Sequence, residues 1–142
     1  MIKFLDLYKQ DKLLHHVILK KIKKLIKNGD FILGKEVSLF ENNFKKFCGS
    51  NYAISCANGT DALTLALKAL DLPKNSEVLI PAMTYCSTAF SVFNAGLRPK
   101  LVDTEFLKPT ICLKDLKKKI SKKTKVILPV HLYGSTANLS GI

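Results

Sequence analysis

The segment Ala57-Asn58-Gly59-Thr60-Asp61-Ala62 is the part of this sequence best suited to binding a ligand. It lies between a short β-rich run and an apolar helical stretch, which places it at the first turn of a helix. Backbone N–H groups without partners and a partial positive charge attract anions at that position. Gly59 allows close approach to the backbone, and the Thr60 hydroxyl adds a donor. An ordinary turn with Thr60 or Asp61 as the helix cap explains the same pattern equally well.

Three further polar residues follow the ends of predicted strands, namely Tyr85, Asp103 and His131. In open α/β sheets, ligands bind beyond the carboxyl ends of the strands. The ring of Tyr85 could stack there on a flat heterocycle. Taken singly, each of the three residues also has a plain structural explanation as a half-buried, capping or turn residue. Their spacings define neither a Ser-His-Asp triad nor a pair of catalytic carboxylates.

The first part of the chain predicts two amphipathic helices. Apolar residues recur at helical spacing between Asp11 and Lys27, with lysines between them, and Asn28-Gly29 provides a stop signal. A second helix is predicted from Lys35 to Phe47, with Gly49 as its stop signal. Its start is indicated either by Ser38 and Glu41, which have the spacing of a capping box, or by an earlier turn at Gly34.

From Asn51 onward, short β-rich runs alternate with helical segments, which predicts an α/β fold with a mostly parallel sheet. After Val130 a further crossover helix is expected to begin, so the sheet is predicted to be incomplete within this chain. The predicted strands are Tyr52 to Cys56, Glu77 to Ile80, Lys100 to Val102 and Lys125 to Val130, and the predicted helices are Thr60 to Leu70, Thr84 to Asn94 and Lys114 to Ile120.

The charge of the chain is strongly positive, with a formal net value of +12 from 23 basic and 11 acidic residues. Every basic residue except Arg98 is lysine, whereas forked recognition of phosphates and bases favours arginine. We therefore expect a Lys-rich surface and neither a nucleic-acid partner nor a membrane partner. The four cysteines and three histidines show no metal-ligand spacing, and free thiols fit a reducing cytoplasm.

Considered together and in order, these segments resemble the DegT/DnrJ/StrS family of fold-type I, pyridoxal-phosphate sugar aminotransferases. The resemblance covers about residues 28 to 142, and its specificity comes from the order of the segments. They are Phe31-Ile32-Leu33-Gly34, Phe40-Glu41, Ala57 to Leu63, Glu77-Val78-Leu79-Ile80-Pro81, Thr84-Tyr85, Gly96-Leu97-Arg98-Pro99, Val102-Asp103, Lys123-Thr124-Lys125 and Val130-His131-Leu132-Tyr133-Gly134.

The resemblance implies roles for individual residues. Gly59, Thr60 and Asp61 match the segment that cups the phosphate of pyridoxal 5'-phosphate, and Tyr85 matches the aromatic residue that stacks on its pyridine ring. Three more positions, Asp103, His131 and Tyr133, match family signature positions and are possible cleft residues. The family's cofactor-binding lysine and its pyridine-nitrogen aspartate are expected beyond residue 142, so we assign no catalytic residue in this chain.

The resemblance also implies an activity and an organisation. Family members transfer an amino group, usually from glutamate, to a nucleotide-linked keto-sugar, and they form homodimers. We expect residues 1–49 to form a helical arm and residues 50–142 to form an incomplete cofactor-binding domain, inactive without the lysine. Three alternatives stay open: a sugar dehydratase of the same family, a non-catalytic remnant, and an interaction module built on the dimer arm.

Overall fold

The computed structural model describes residues 3–142, which divide between Ser55 and Cys56 into two compact units. The first unit is helical. It contains a short α1 (Leu7–Gln10), a long α2 (Lys12–Asn28) and α3 (Lys35–Cys48). Both α2 and α3 end at a glycine in the left-handed conformation, Gly29 and Gly49, as the stop signals in the sequence indicate.

The two helices predicted for this unit are confirmed, but the capping box is wrong. Helix α3 begins at Lys35 with Gly34 as its N-cap, one turn before Ser38. The Glu41 carboxylate accepts a hydrogen bond from the Ser55 N–H at 2.8 Å instead of reaching back to Ser38. A capping box needs both side chains at the first turn, whereas here both lie inside the helix.

The second unit is an α/β structure, which confirms the predicted fold class. Its elements are α4 (Gly59–Ala69), β1 (Glu77–Pro81), α5 (Ser87–Asn94), β2 (Arg98–Val102), α6 (Leu113–Lys119) and β3 (Thr124–Ile127). Two short 3-10 turns follow, Leu132–Gly134 and Leu139–Gly141, where we expected the start of an α-helix. The three strands form a parallel sheet in the order β2-β1-β3.

Strand β1 lies at the centre of this sheet and is covered on both faces. Val78 and Ile80 pack with Leu67 of α4 and Val92 of α5. The side chain between them, Leu79, points the other way because successive strand residues alternate between faces, and it packs in a second cluster with Val102, Ile111 and Leu116 of α6. Helices on both faces are what a parallel sheet needs, since both of its faces are apolar.

The strand order explains why α5 and α6 lie on opposite faces. The chain leaves β1 through α5 to reach β2 on one side, then returns through α6 to reach β3 on the other side. Both crossovers are expected to be right-handed. Because the second crossover runs across the sheet in the opposite direction to the first, the same hand places its helix on the other face.

The structure differs most from the sequence prediction in three places, while other predicted boundaries shift by only one or two residues. The strand predicted over Tyr52 to Cys56 is wrong: this segment is irregular, because no strand within residues 3–142 pairs with it. Helix α5 begins at Ser87, since residues 84–86 form a turn in which the Thr88 N–H donates to the Tyr85 carbonyl. Strand β3 ends at Ile127, shortly before Pro129, which has no N–H to donate to a ladder.

The amino-terminal ends of the strands are joined by one carboxylate. Oε2 of Glu77 accepts hydrogen bonds from Ser121 Oγ at 2.8 Å, Lys100 Nζ at 3.2 Å and Thr124 Oγ1 at 3.4 Å. The Ser121 hydrogen bond and the Lys100 ammonium hold the pKa of Glu77 below its ordinary value of 4.5. This cluster ties β1 to β2, to β3 and to the turn that follows α6.

Within residues 3–142, no helix is long and apolar enough to cross a bilayer.

We expect Glu77→Gln to remove a pH-dependent part of the stability. A carboxyl whose pKa is lower in the folded state stabilises the fold above its unfolded pKa, and the stabilisation is lost as the pH falls through the folded value. The difference in unfolding free energy between wild type and Glu77→Gln should be largest above pH 4.5 and should shrink below it.

Urea denaturation of the 142-residue chain across this pH range measures the effect. Ser121→Ala should reduce the same pH-dependent difference, because it removes the largest cause of the lowered pKa. Ser140→Ala, at an exposed turn, is the matched control and should change nothing. A difference between wild type and Glu77→Gln that is constant with pH would contradict this account.

Candidate functional site

The site is built at the first turn of α4, where the side chain of Asn58 caps the helix. Asn58 Oδ1 accepts a hydrogen bond from the Asp61 N–H at 2.9 Å, and Asn58 Nδ2 donates to Asp61 Oδ2 at 3.0 Å. The cap is therefore Asn58, and our expectation of Thr60 or Asp61 in that role is wrong. Residue 58 uses its extended backbone and its short side chain as N-caps commonly do.

The cap leaves part of the helix terminus available. The Asp61 and Ala62 N–H groups are bonded to Asn58, whereas no hydrogen bond within residues 3–142 engages the N–H groups of Gly59 and Thr60. A Cβ built at Gly59 would meet nothing within 4 Å, so open space lies beside this residue. Two N–H donors without a partner in this part of the chain, next to open space, have the arrangement that an anion site at a helix N-terminus requires.

A second helix terminus is joined to the first through a pair of hydroxyls. Thr60 Oγ1 donates to Ser87 Oγ at 2.8 Å, across 27 residues of sequence. Ser87 is the first residue of α5, which packs against α4. Because the Thr60 proton lies in this bond, the Ser87 hydroxyl keeps its own proton to donate elsewhere. Ser87 was not singled out from the sequence, and its distance along the chain from Thr60 gave no local signal.

The structure leaves the Tyr85 ring open to a ligand. This residue lies in the turn between the carboxyl end of β1 and α5, two residues before Ser87, and its side chain is 71% exposed. An aromatic ring exposed beside an anion site can cover the flat face of a bound heterocycle. Its backbone carbonyl is fixed by the Thr88 N–H at 3.0 Å.

Asp103 and His131 also lie beyond the carboxyl ends of strands, after β2 and β3. The Asp103 backbone is held by the Asp115 carboxylate at 2.8 Å, and its own Oδ1 accepts from the Thr104 N–H. Hydrogen bonds from the Asp103 N–H and from Lys119 hold the pKa of Asp115 below its ordinary value. Asp103 is exposed and therefore remains accessible at this edge.

The ring of His131 has a defined orientation. Its Nδ1 accepts a hydrogen bond from the Ala137 N–H at 3.0 Å, so the neutral imidazole carries its proton on Nε2. Two residues later, Tyr133 has a left-handed backbone with φ of 52° and an 83% exposed side chain. A non-glycine residue in this conformation costs free energy, and such residues concentrate at ligand sites. The contacts of Asp103, His131 and Tyr133 join them to their own turns, and their roles as cleft residues stay predictions.

A cavity in the first unit lies apart from these residues. It has a volume of about 850 Å³ and lies where α2 ends and α3 begins, lined by residues from Asn28 to Asn42. Its acidic side chain, Asp30, accepts a hydrogen bond from the Lys35 N–H. The chemistry-bearing residues of the second unit lie instead along an open edge of the sheet.

The chain belongs to the DegT/DnrJ/EryC1/StrS aminotransferase family, whose model matches residues 13–142. It is 36% identical over its whole length to a dTDP-3-amino-3,6-dideoxy-alpha-D-galactopyranose transaminase of Aneurinibacillus thermoaerophilus, of which it covers 39%. It is 38% identical, again over its whole length, to a UDP-2-acetamido-2-deoxy-3-oxo-D-glucuronate aminotransferase of Pseudomonas aeruginosa, of which it covers 40%. The chain thus spans about two fifths of the length of these curated relatives.

Solved structures agree with this assignment. S. venezuelae DesV in complex with a ketimine intermediate superposes on 99% of this chain with a TM-score of 0.88 and 32% identity, and 38% of that chain is covered. A GDP-4-keto-6-deoxymannose-3-dehydratase with a trapped PLP-glutamate geminal diamine matches 87% of this chain with a TM-score of 0.78 and 31% identity, and 33% of that chain is covered. The family resemblance expected from the sequence is confirmed.

We expect Asn58→Ala to destabilise the chain by about 1 kcal/mol, because it removes the oxygen that caps α4. Asn58→Ser should retain most of the stability, since serine is also a good N-cap. Urea denaturation compares the three proteins. Equal stability of Asn58→Ala and wild type would show that the cap contributes nothing and would contradict the geometry of this helix terminus.

Proposed function

We propose that this protein is a pyridoxal-phosphate aminotransferase and that its second unit holds the cofactor phosphate at the N-terminus of α4. The observation that carries the proposal is the Thr60–Ser87 hydroxyl pair, which joins two helix N-termini beside open space. In a chain of an aminotransferase family, this is the arrangement expected to bind a phosphate.

The residues present fit a phosphate group. The donors are the N–H groups of Gly59 and Thr60 and the hydroxyl of Ser87, while the Thr60 hydroxyl fixes the position of Ser87. The carboxylate of Asp61 accepts a hydrogen bond from Asn58 Nδ2, which holds it beside the cap. We therefore propose that Asp61 shapes this turn, and that direct contacts to the phosphate come from its neighbours.

The cofactor, when bound, supplies an electron sink for chemistry at the substrate's amino-bearing carbon. The residues of this chain bind and orient. The N–H groups of Gly59 and Thr60 and the Ser87 hydroxyl would hold the phosphate end of the cofactor, and the exposed ring of Tyr85 would cover one face of the pyridine. His131 presents its Nε2–H as a donor at the same edge of the sheet. We propose that none of the lysines in residues 13–142 is the one that binds the cofactor covalently. Residues 1–142 alone would then bind the cofactor without catalysing amino transfer.

The substrates we propose are a nucleotide-linked keto-sugar as acceptor and glutamate as amino donor. The support comes from the relatives, whose names describe transaminases of dTDP-linked and UDP-linked sugars. A sugar dehydratase is the second candidate, because the matched GDP-4-keto-6-deoxymannose-3-dehydratase shares this part of the fold. The two candidates differ in the residue that stands at the cofactor lysine position.

We also propose a homodimer, with residues 1–49 as a helical arm and residues 50–142 as part of the cofactor-binding domain. The arm leaves apolar side chains open on α2 and α3, among them Val17, Ile22, Phe40 and Phe44. A stripe of this kind needs a partner surface to be buried. We assign the protein to the cytoplasm because its four cysteines are free, three of them exposed.

The first test is borohydride reduction of the native gene product, followed by intact-mass measurement. Reduction fixes a lysine-bound cofactor covalently, so an aminotransferase should show a chain with a pyridoxyl adduct. Consumption of glutamate together with a nucleotide-linked keto-sugar then separates it from a dehydratase, which releases water without transferring nitrogen to the sugar. A product without the adduct and without transfer that still releases water from the keto-sugar would indicate the dehydratase, in which the cofactor lysine is replaced. A product that shows neither the adduct, nor transfer, nor release of water would rule out both enzymes and leave a remnant.

We expect the double variant Thr60→Val/Ser87→Ala to weaken cofactor binding at least about tenfold, because it removes hydroxyl hydrogen bonds to a charged group. Equilibrium dialysis of the complete gene product with pyridoxal phosphate measures the affinity directly. Ser91→Ala is the matched control, since the Ser91 hydroxyl bonds to Thr88 within the same helix. Equal affinity of all three proteins would show that the phosphate binds elsewhere.

A further inference from the structure

A cavity of about 350 Å³ lies at the opposite end of the sheet, where the strands begin. It is bounded by the turn before β1, the first residue of β2 and the turn that leads into β3. Its volume lies near the lower end of the range for small-molecule sites. Five of the side chains that line it are cationic: Lys74, Arg98, Lys122, Lys123 and Lys125.

These cations are not used by the fold itself. Within residues 3–142, the lysines that form ion pairs do so with nearby carboxylates, as in Lys100–Glu77 and Lys119–Asp115. The charged groups of the five cavity cations donate no hydrogen bond and form no ion pair in that part of the chain, although the backbone N–H of Lys123 donates to Ser121 Oγ. The only carboxylate that lines the cavity, Glu77, is 14% exposed and already bonded to Lys100, Ser121 and Thr124.

The cations also come from separate parts of the chain. Lys74 belongs to the turn between α4 and β1, Arg98 begins β2, and the remaining three surround the start of β3. Parallel pairing brings these positions together, because Glu77 of β1 lies in register with both Arg98 and Thr124. Like charges held together without partners repel one another, and a bound anion relieves that repulsion.

We propose that this cavity binds a small anion that carries at least two phosphate groups. Arg98, the single arginine of the chain, supplies the planar fork that suits phosphate, and the lysines act as point charges around it. Several cations call for more negative charge than one phosphate carries. The cavity is separate from the cofactor cup, because the cup lies at the carboxyl edge of the sheet and this cavity lies at the amino edge.

The shape distinguishes this site from a nucleic-acid surface. The cations surround a cavity. A surface that binds single-stranded nucleic acid would instead arrange them along a groove that follows the sugar-phosphate backbone, with aromatic residues between them. The lining consists of the cations together with Pro73, Asn75, Ser76 and Glu77, and includes no aromatic ring.

The test is titration calorimetry of the complete gene product with inorganic pyrophosphate, after saturation with pyridoxal phosphate so that the cup is filled. Wild type should bind pyrophosphate at one site per chain, with an affinity that falls as salt rises. Arg98→Gln/Lys123→Gln should bind at least about tenfold more weakly, because charged hydrogen bonds are lost. Arg98→Lys keeps the charge without the fork and should give an intermediate loss.

The matched control is Lys114→Gln/Lys117→Gln, which removes the same charge from the exposed surface of α6. It should bind pyrophosphate as tightly as wild type. Equal weakening in both double variants would mean that net charge alone attracts the anion, and no binding by wild type would mean that the cavity is only a solvated surface. If duplex DNA displaced pyrophosphate at a concentration below that of the pyrophosphate, the surface would be assigned to nucleic acid. Each of these three results would overturn the proposal.

Discussion

The burial of β1 on both faces is the constraint on which the second unit depends. Its side chains alternate between two apolar clusters, one under α4 and α5 and the other under α6. Because β1 is central and parallel to both neighbours, its register with β2 and β3 places the ends of all three strands at common edges. The candidate cofactor site and the basic cavity are both consequences of that arrangement, one at each edge.

At the carboxyl edge, the structure brings together hydrogen-bond donors that carry no net charge of their own. Helix α4 offers two free N–H groups, and Ser87 of α5 adds a hydroxyl whose position is fixed by Thr60. Each of these donors is modest alone, but a phosphate that receives several of them at a helix N-terminus is held firmly. Tyr85 follows β1 in the chain and stands two residues before Ser87, and its ring is exposed. This combination of donors and a ring suits a ligand with an anionic end and a flat ring.

At the amino edge, the groups available to a ligand are charged side chains. Glu77 collects three donors and ties the strands together, so its carboxylate contributes to the fold. Beside it, five cations whose charged groups form no ion pair within residues 3–142 surround a cavity. One edge therefore presents neutral donors and the other presents full positive charges. The first arrangement selects by geometry, whereas the second attracts anions over a longer range and is more sensitive to salt.

The sequence by itself determined the elements whose signals are local. The stop signals at Gly29 and Gly49, the apolar strand from Glu77 and the glycine-containing turn at Gly59 predicted α2, α3, β1 and the start of α4. The order of these segments also identified the family, because family motifs follow one another in a fixed order in the sequence. Even the Asn58 cap had a local signal, since its side chain reaches the N–H three residues ahead.

The tertiary structure alone decided everything that depends on partners distant in sequence. The segment from Tyr52 to Cys56 has the composition of a strand but is irregular, because a strand exists only where another pairs with it. The Thr60–Ser87 bond spans 27 residues and is made by the packing of α4 against α5. The basic cavity likewise unites lysines from two turns with Arg98, through the register of the parallel strands. Composition records how many charges a chain carries, but only folding sets the distances between them.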